Sequence, residues 1–156
     1  MKSRLAILML VAAASAVAQT SSGYIFFAPG GATANGYTST TLHAGGGADI
    51  HLVKGIGFNA ELGALAPKDD LYSTVGIFSL GGTYRFRRGE NIRLEPFAAG
   101  GYSLMFRESH ANLYYFGGGV TCWAARRVGV RVEFRDHVWP GEPVHFWGFR
   151  FGVAFR

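Results

Sequence analysis

The sequence predicts an all-β fold, an eight-stranded antiparallel up-and-down transmembrane β-barrel. Three observations lead there: an export signal at the start, alternating apolar and polar residues over most of the remainder, and predicted strands long enough to cross a membrane at a tilt. Met1 to Thr20 place Lys2 and Arg4 ahead of an uncharged run from Leu5 to Ala14, and close on Ala16-Val17-Ala18. A basic start, a short apolar run and a small-x-small ending make a secretory signal, cleaved after Ala18, and the run is too short to span a bilayer as a helix. Two units follow: residues 1–18 as a cleaved signal peptide and residues 19–156 as one barrel domain.

Removing residues 1–18 takes Lys2 and Arg4 from a formal charge of +5 and leaves +3. So small a surplus gives no reason to expect a nucleic-acid partner. Glycine at 23 residues and aromatics at 15% occur together, which suits a β-protein needing tight bends and interfacial anchors. A single cysteine, Cys122, provides no internal disulfide, and on an apolar parity it reads as a small lipid-facing residue. No later window offers eighteen consecutive apolar residues, so crossing by a helix is excluded after the signal.

Strands are predicted at 22–28, 41–52, 56–66, 74–86, 92–106, 113–124, 128–138 and 146–155. The first, before Pro29, carries the weakest pattern. The second and third flank Val53-Lys54-Gly55, and the fourth and fifth flank Arg88-Gly89-Glu90-Asn91, both with hairpin-turn chemistry. In the seventh, Val128, Val130, Val132 and Phe134 alternate with Gly129, Arg131, Glu133 and Arg135. The eighth sets Phe149, Phe151, Val153 and Phe155 against Arg150, Gly152 and Ala154. Connections at 29–40, 67–73, 107–112 and 139–145 are expected to be long and those at 53–55, 87–91 and 125–127 short, which would put the long set outside the cell.

The bulky parity is uncharged and is assigned to lipid, because an open sheet with that surface would aggregate in water whereas a closed barrel in hydrocarbon would not. Tyr84, Phe86 and Phe155 near one end, and Tyr114, Trp139 and Trp147 near the other, are expected to form two aromatic girdles. The opposite parity collects Asp49, Glu61, Arg85, Arg93, Glu95, Arg131, Glu133, Arg135 and Arg150. Eight strands enclose only enough space for side chains, so these charges must pair, leaving at most a small gated pore, and strand direction predicts a stacked layer of Asp49, Arg85, Arg93, Glu95, Arg131 and Glu133 toward the periplasmic half. The glycines at 45–47, 81–82, 100–101 and 117–119 are expected to mark bends or to make room for charged neighbours.

Tyr115 to Val120, Arg131 to Asp136 and the closing Phe149 to Phe155 segment resemble the small outer-membrane β-barrel proteins with an OmpA-like transmembrane domain. The resemblance implies residence in the cell outer membrane of a diderm bacterium and contact with outer-membrane lipid and lipopolysaccharide. It also implies insertion by the barrel-assembly machinery through the C-terminal strand. The pattern departs where Arg156 follows Phe155, since the family ends on an aromatic, and no peptidoglycan-binding domain is expected after the barrel.

The expected role is structural or binding, performed by a monomer with no cofactor, no metal and no catalysis. A lipid A-modifying enzyme is the first alternative. Its candidate groups are His43 with Thr41 and Asp49, Ser109 with His110 and Glu108, and His137 with Asp136 and Glu142. None has the His-x-Ser-Asn arrangement that resemblance to a deacylase would require. A soluble lipocalin-like barrel, with the bulky parity turned inward, is the second. His43, His51, His110, His137 and His145 supply no closed metal set, and the polar segment 29–40 offers only Tyr37 as an anchor.

Overall fold

The computed structural model describes residues 21–52, 54–86 and 93–156. The signal-peptide assignment at 1–18, Val53 and the turn expected at Arg88-Gly89-Glu90-Asn91 lie outside the described residues. Eight strands run in chain order: β1 (Ser21–Ala34), β2 (Tyr37–His51), β3 (Ile56–Pro67), β4 (Val75–Arg85), β5 (Leu94–Phe106), β6 (His110–Trp123), β7 (Val128–Trp139) and β8 (Val144–Phe155). Each pairs antiparallel with its neighbours in sequence, and β1 pairs with β8 to close the barrel. Closure satisfies the backbone groups that an edge strand would leave unpaired. The β1–β8 ladder runs from Gly23 opposite Phe155 to Ala34 opposite Val144 and lapses at Ala28-Pro29, where Pro29 has no N–H to donate.

The two parities divide as their chemistry requires. Ile25, Phe27, Phe58, Leu62, Phe78, Leu80, Phe116, Val130, Phe149 and Phe151 stand exposed on the outer wall, while Asp49, Glu61, Glu133, Arg135 and Arg150 are buried inside. Strands of 11 to 15 residues, at about 3.3 Å per residue and a tilt near 40°, cover an apolar band about 25 Å tall.

The first outer connection corrects an expectation. Residues 29–40 do not form a long polar loop, because β1 and β2 continue through them to a two-residue turn at Asn35-Gly36. Both turn residues have positive φ, 49° at Asn35 and 82° at Gly36, giving the mirror-image turn whose twist matches that of the flanking strands. Lys54-Gly55 makes the same kind of turn between β2 and β3, with φ of 54° and 87°. The expected alternation of long and short connections therefore fails. One end of the barrel carries connections 35–36, 68–74, 107–109 and 140–143; the other carries 52–55, 86–93 and 124–127.

Candidate functional site

The interior is the most distinctive part of the molecule, and alternation on six strands builds it. Asp49 comes from β2, Glu61 from β3, Arg85 from β4, Glu95 from β5, Arg131, Glu133 and Arg135 from β7, and Arg150 from β8. These eight side chains form one alternating chain of charge. Arg85 lies 2.7 Å from Glu95 and 3.1 Å from Asp49. Arg131 then bridges Asp49 at 2.7 Å and Glu133 at 3.1 Å. Arg135 joins Glu133 at 2.6 Å to Glu61 at 3.3 Å, and Arg150 ends the chain on Glu61 with contacts of 2.6 and 2.7 Å, a two-pronged fit of guanidinium to carboxylate. Four positive and four negative groups cancel, which a low-dielectric interior demands.

The charges climb the barrel from one end to its middle. Asp49, Arg85, Glu95 and Arg131 lie toward the end that holds Ser21 and Phe155; Glu61, Glu133, Arg135 and Arg150 carry the chain to mid-barrel. Arg93 stays outside. It occupies a bend before β5 begins and is exposed, so although it shares parity with Glu95 it has no strand to hold it inward.

Aromatic rings on the inward parity complete the arrangement, and these the sequence pattern concealed. Arg131 lies between the rings of Tyr24 and Phe97 at 4.2 and 4.0 Å, Arg135 over Tyr115 at 4.5 Å, and Arg150 over Phe26 at 3.9 Å. Tyr24 also donates its hydroxyl to Glu61 at 2.9 Å, and Tyr115 donates to Asn59 at 2.7 Å. In Tyr24-Ile25-Phe26-Phe27 both parities are bulky, so size alone does not separate them; the inward rings sit on strands paired with the arginine's own strand or one strand removed from it. Inward glycines make the space. A Cβ on Gly81 would lie 2.1 Å from the Tyr115 hydroxyl, and one on Gly47 would lie 2.8 Å from that of Tyr24.

Above the charges the lining mixes apolar and neutral polar side chains. Leu65, Ile77 and Leu113 are buried, and a void of about 10 Å³, roughly one water in size, is lined by residues that include His43, His137, Thr41 and Arg150. At the mouth, Val75, Met105, Ala111 and Trp139 border a cavity of about 370 Å³.

The girdle assignments divide. Tyr84, Phe86 and Phe155 are exposed at one end, with the Tyr84 and Phe86 rings 4.9 Å apart edge to face, and Tyr114 is exposed toward the other. Trp147 lies over Gly31 on the outer wall and donates its indole N–H to Thr33 at 3.2 Å. Trp139 does not belong to the girdle. It is an even number of residues from Arg131, Glu133 and Arg135, so β7 turns it inward to the mouth cavity.

The serine, threonine and histidine groups are dispersed. Thr41 and His43 face inward near the mouth, whereas Asp49 is engaged by Arg85 and Arg131. Ser109 and His110 are exposed at the top of the β5–β6 hairpin. His137 points inward while Asp136, on the other parity, meets His145 at 2.9 Å.

No protein-family model matches the chain, and no curated protein sequence matches it. Solved structures do. Neisserial surface protein A superposes with a TM-score of 0.66 at 9% identity, over 87% of this chain and 96% of its own. The N-terminal β-barrel domain of OprF from Pseudomonas aeruginosa gives 0.65 at 14% identity, over 87% and 96%. Ail, the attachment invasion locus protein of Yersinia pestis, gives 0.57 at 11%, over 86% and 96%. The chain is thus an eight-stranded barrel whose structural neighbours are small outer-membrane β-barrels.

Proposed function

We propose that the chain is an integral outer-membrane β-barrel whose role is structural or binding and whose lumen is closed to bulk solute by its own ion-paired side chains. One observation carries the reading: a continuous exposed apolar wall encloses a charge-balanced, buried interior. Hydrocarbon is the solvent that suits such a wall. A soluble lipocalin-like barrel would place those two surfaces the other way round. Eight strands leave little bore once arginines and aromatic rings occupy it, so any conductance is small and depends on rearranging the ion pairs.

The same reading assigns a monomer, surrounded by outer-membrane lipid and lipopolysaccharide and inserted by the assembly machinery through β8. It assigns no catalysis, since the serine, threonine and histidine groups are spread over different faces and depths. The test is gel migration of the membrane fraction with and without boiling. A heat-dependent shift in the outer-membrane fraction is expected; recovery of a soluble periplasmic protein would overturn the proposal in favour of the lipocalin-like barrel. Mass analysis of lipid A after incubation with the protein should show unchanged acylation, and a changed acyl number would restore the enzyme.

A further inference from the structure

The two ends of the barrel differ in charge. At the end holding Ser21 and Phe155, Lys54, Arg93, Arg126, Arg127 and Arg156 are exposed, and among the described residues no exposed Asp or Glu side chain accompanies them. Among the described residues the nearest acidic side chains are buried, Asp49 bound to Arg85 and Arg131 and Glu95 bound to Arg85. At the opposite end Lys68 and Arg107 face Asp69, Asp70, Glu108 and Glu142, all exposed.

Four of the arginines form one patch. The Trp123 amide donates to the Arg93 carbonyl at 2.7 Å. Arg156 lies over the Trp123 ring at 4.1 Å, donates from Nε to the Arg126 carbonyl at 2.9 Å and from its amide to the Arg127 carbonyl at 3.1 Å. Arg156 reaches Glu95 only at 3.8 Å, and Arg93, Arg126 and Arg127 have no ion-pair partner among the described residues. The patch begins where the apolar wall stops: Leu94, Val128 and Phe155 are exposed beside it.

We infer that this arginine patch binds the phosphate groups of anionic phospholipids in the leaflet at that end of the barrel. The inference rests on the transmembrane reading above. Guanidinium groups bind phosphate through paired N–H donors, and a basic cluster at the boundary of the hydrocarbon lies at headgroup depth. A patch built to take an anionic polymer or an acidic protein would project beyond the apolar wall, whereas Arg126 and Arg127 directly precede the exposed Val128.

The full chain would be reconstituted in phosphatidylcholine vesicles with and without phosphatidylglycerol, and the lipids retained on each barrel counted by native mass spectrometry. Boiling-dependent gel migration reports insertion in parallel. Retention of phosphatidylglycerol over phosphatidylcholine by on the order of tenfold is expected, lost in high salt and in R126Q/R127Q but kept in K68Q/R107Q. Equal retention of both lipids, or an R126Q/R127Q variant that retains phosphatidylglycerol normally, would overturn the inference while leaving the membrane barrel intact. A soluble acidic polymer that displaces phosphatidylglycerol and survives high salt would overturn the lipid assignment. Failure to insert in either vesicle would instead overturn the transmembrane reading itself.

Discussion

Glu61 shows what a single residue does in this interior. It receives two contacts from Arg150, one from Arg135 and the hydroxyl of Tyr24, so three side chains from three other strands depend on its charge. Glu61→Gln leaves two buried guanidinium groups short of a partner and should destabilise the barrel by about 3–5 kcal/mol in urea unfolding from lipid. Arg93→Gln, on an exposed bend, should change stability by less than about 0.5 kcal/mol. Equal effects would mean that the column is not what stabilises the lumen. The charged members of the column were legible because each falls on the parity opposite the bulky apolar residues of its strand. The rings of Tyr24, Phe26 and Phe97 were not, because aromatic residues suit both lipid and the face of an arginine, and only the closed barrel brings the two sets together.

Elements in this barrel are set by pairing and by small residues at chosen points. The Asn35-Gly36 turn lets β1 and β2 continue across a stretch whose proline, glycines and threonines resemble a loop when read one residue at a time. Threonine suits a strand, and Asn-Gly is a hairpin signal, so the information was present but outweighed by Pro29 and Gly30-Gly31. Gly36→Val forces a β-branched residue into a positive φ of 82° and should cost about 1–2 kcal/mol and slow folding, measured by the rate at which the heat-resistant gel band appears. Gly81→Val tests a different property of β4, space. The added side chain would meet the Tyr115 hydroxyl and the Gly100 carbonyl, 2.1 and 2.4 Å from the new Cβ, and a loss of about 1–3 kcal/mol is expected in the same unfolding assay. Trp139 carries the converse lesson: its position near an outer end suggested an interfacial anchor, but parity within β7 overrides position and turns it to the mouth.

For the whole molecule, closure, sidedness and solvent follow from one sorting of side chains, with the apolar parity outside and the balanced charges within. Strand count and order were legible from periodicity. The comparison of loop lengths was not, because the two-residue turn at Asn35-Gly36 departs from the expected alternation. If hydrocarbon faces the outer wall, Phe151→Arg, on a residue 52% exposed in mid-strand, should cost about 2–4 kcal/mol in lipid, as read by the urea midpoint of tryptophan fluorescence. The same substitution would be nearly neutral if water faced that wall. In the proposed arrangement the barrel crosses a bilayer while its charges fill it, and planar-bilayer recording of the purified chain reads both together. Insertion with only small, intermittent conductance, rising when Glu61→Gln or Glu133→Gln loosens the column, is the expected result; large, steady, ungated steps from the unaltered protein would contradict it.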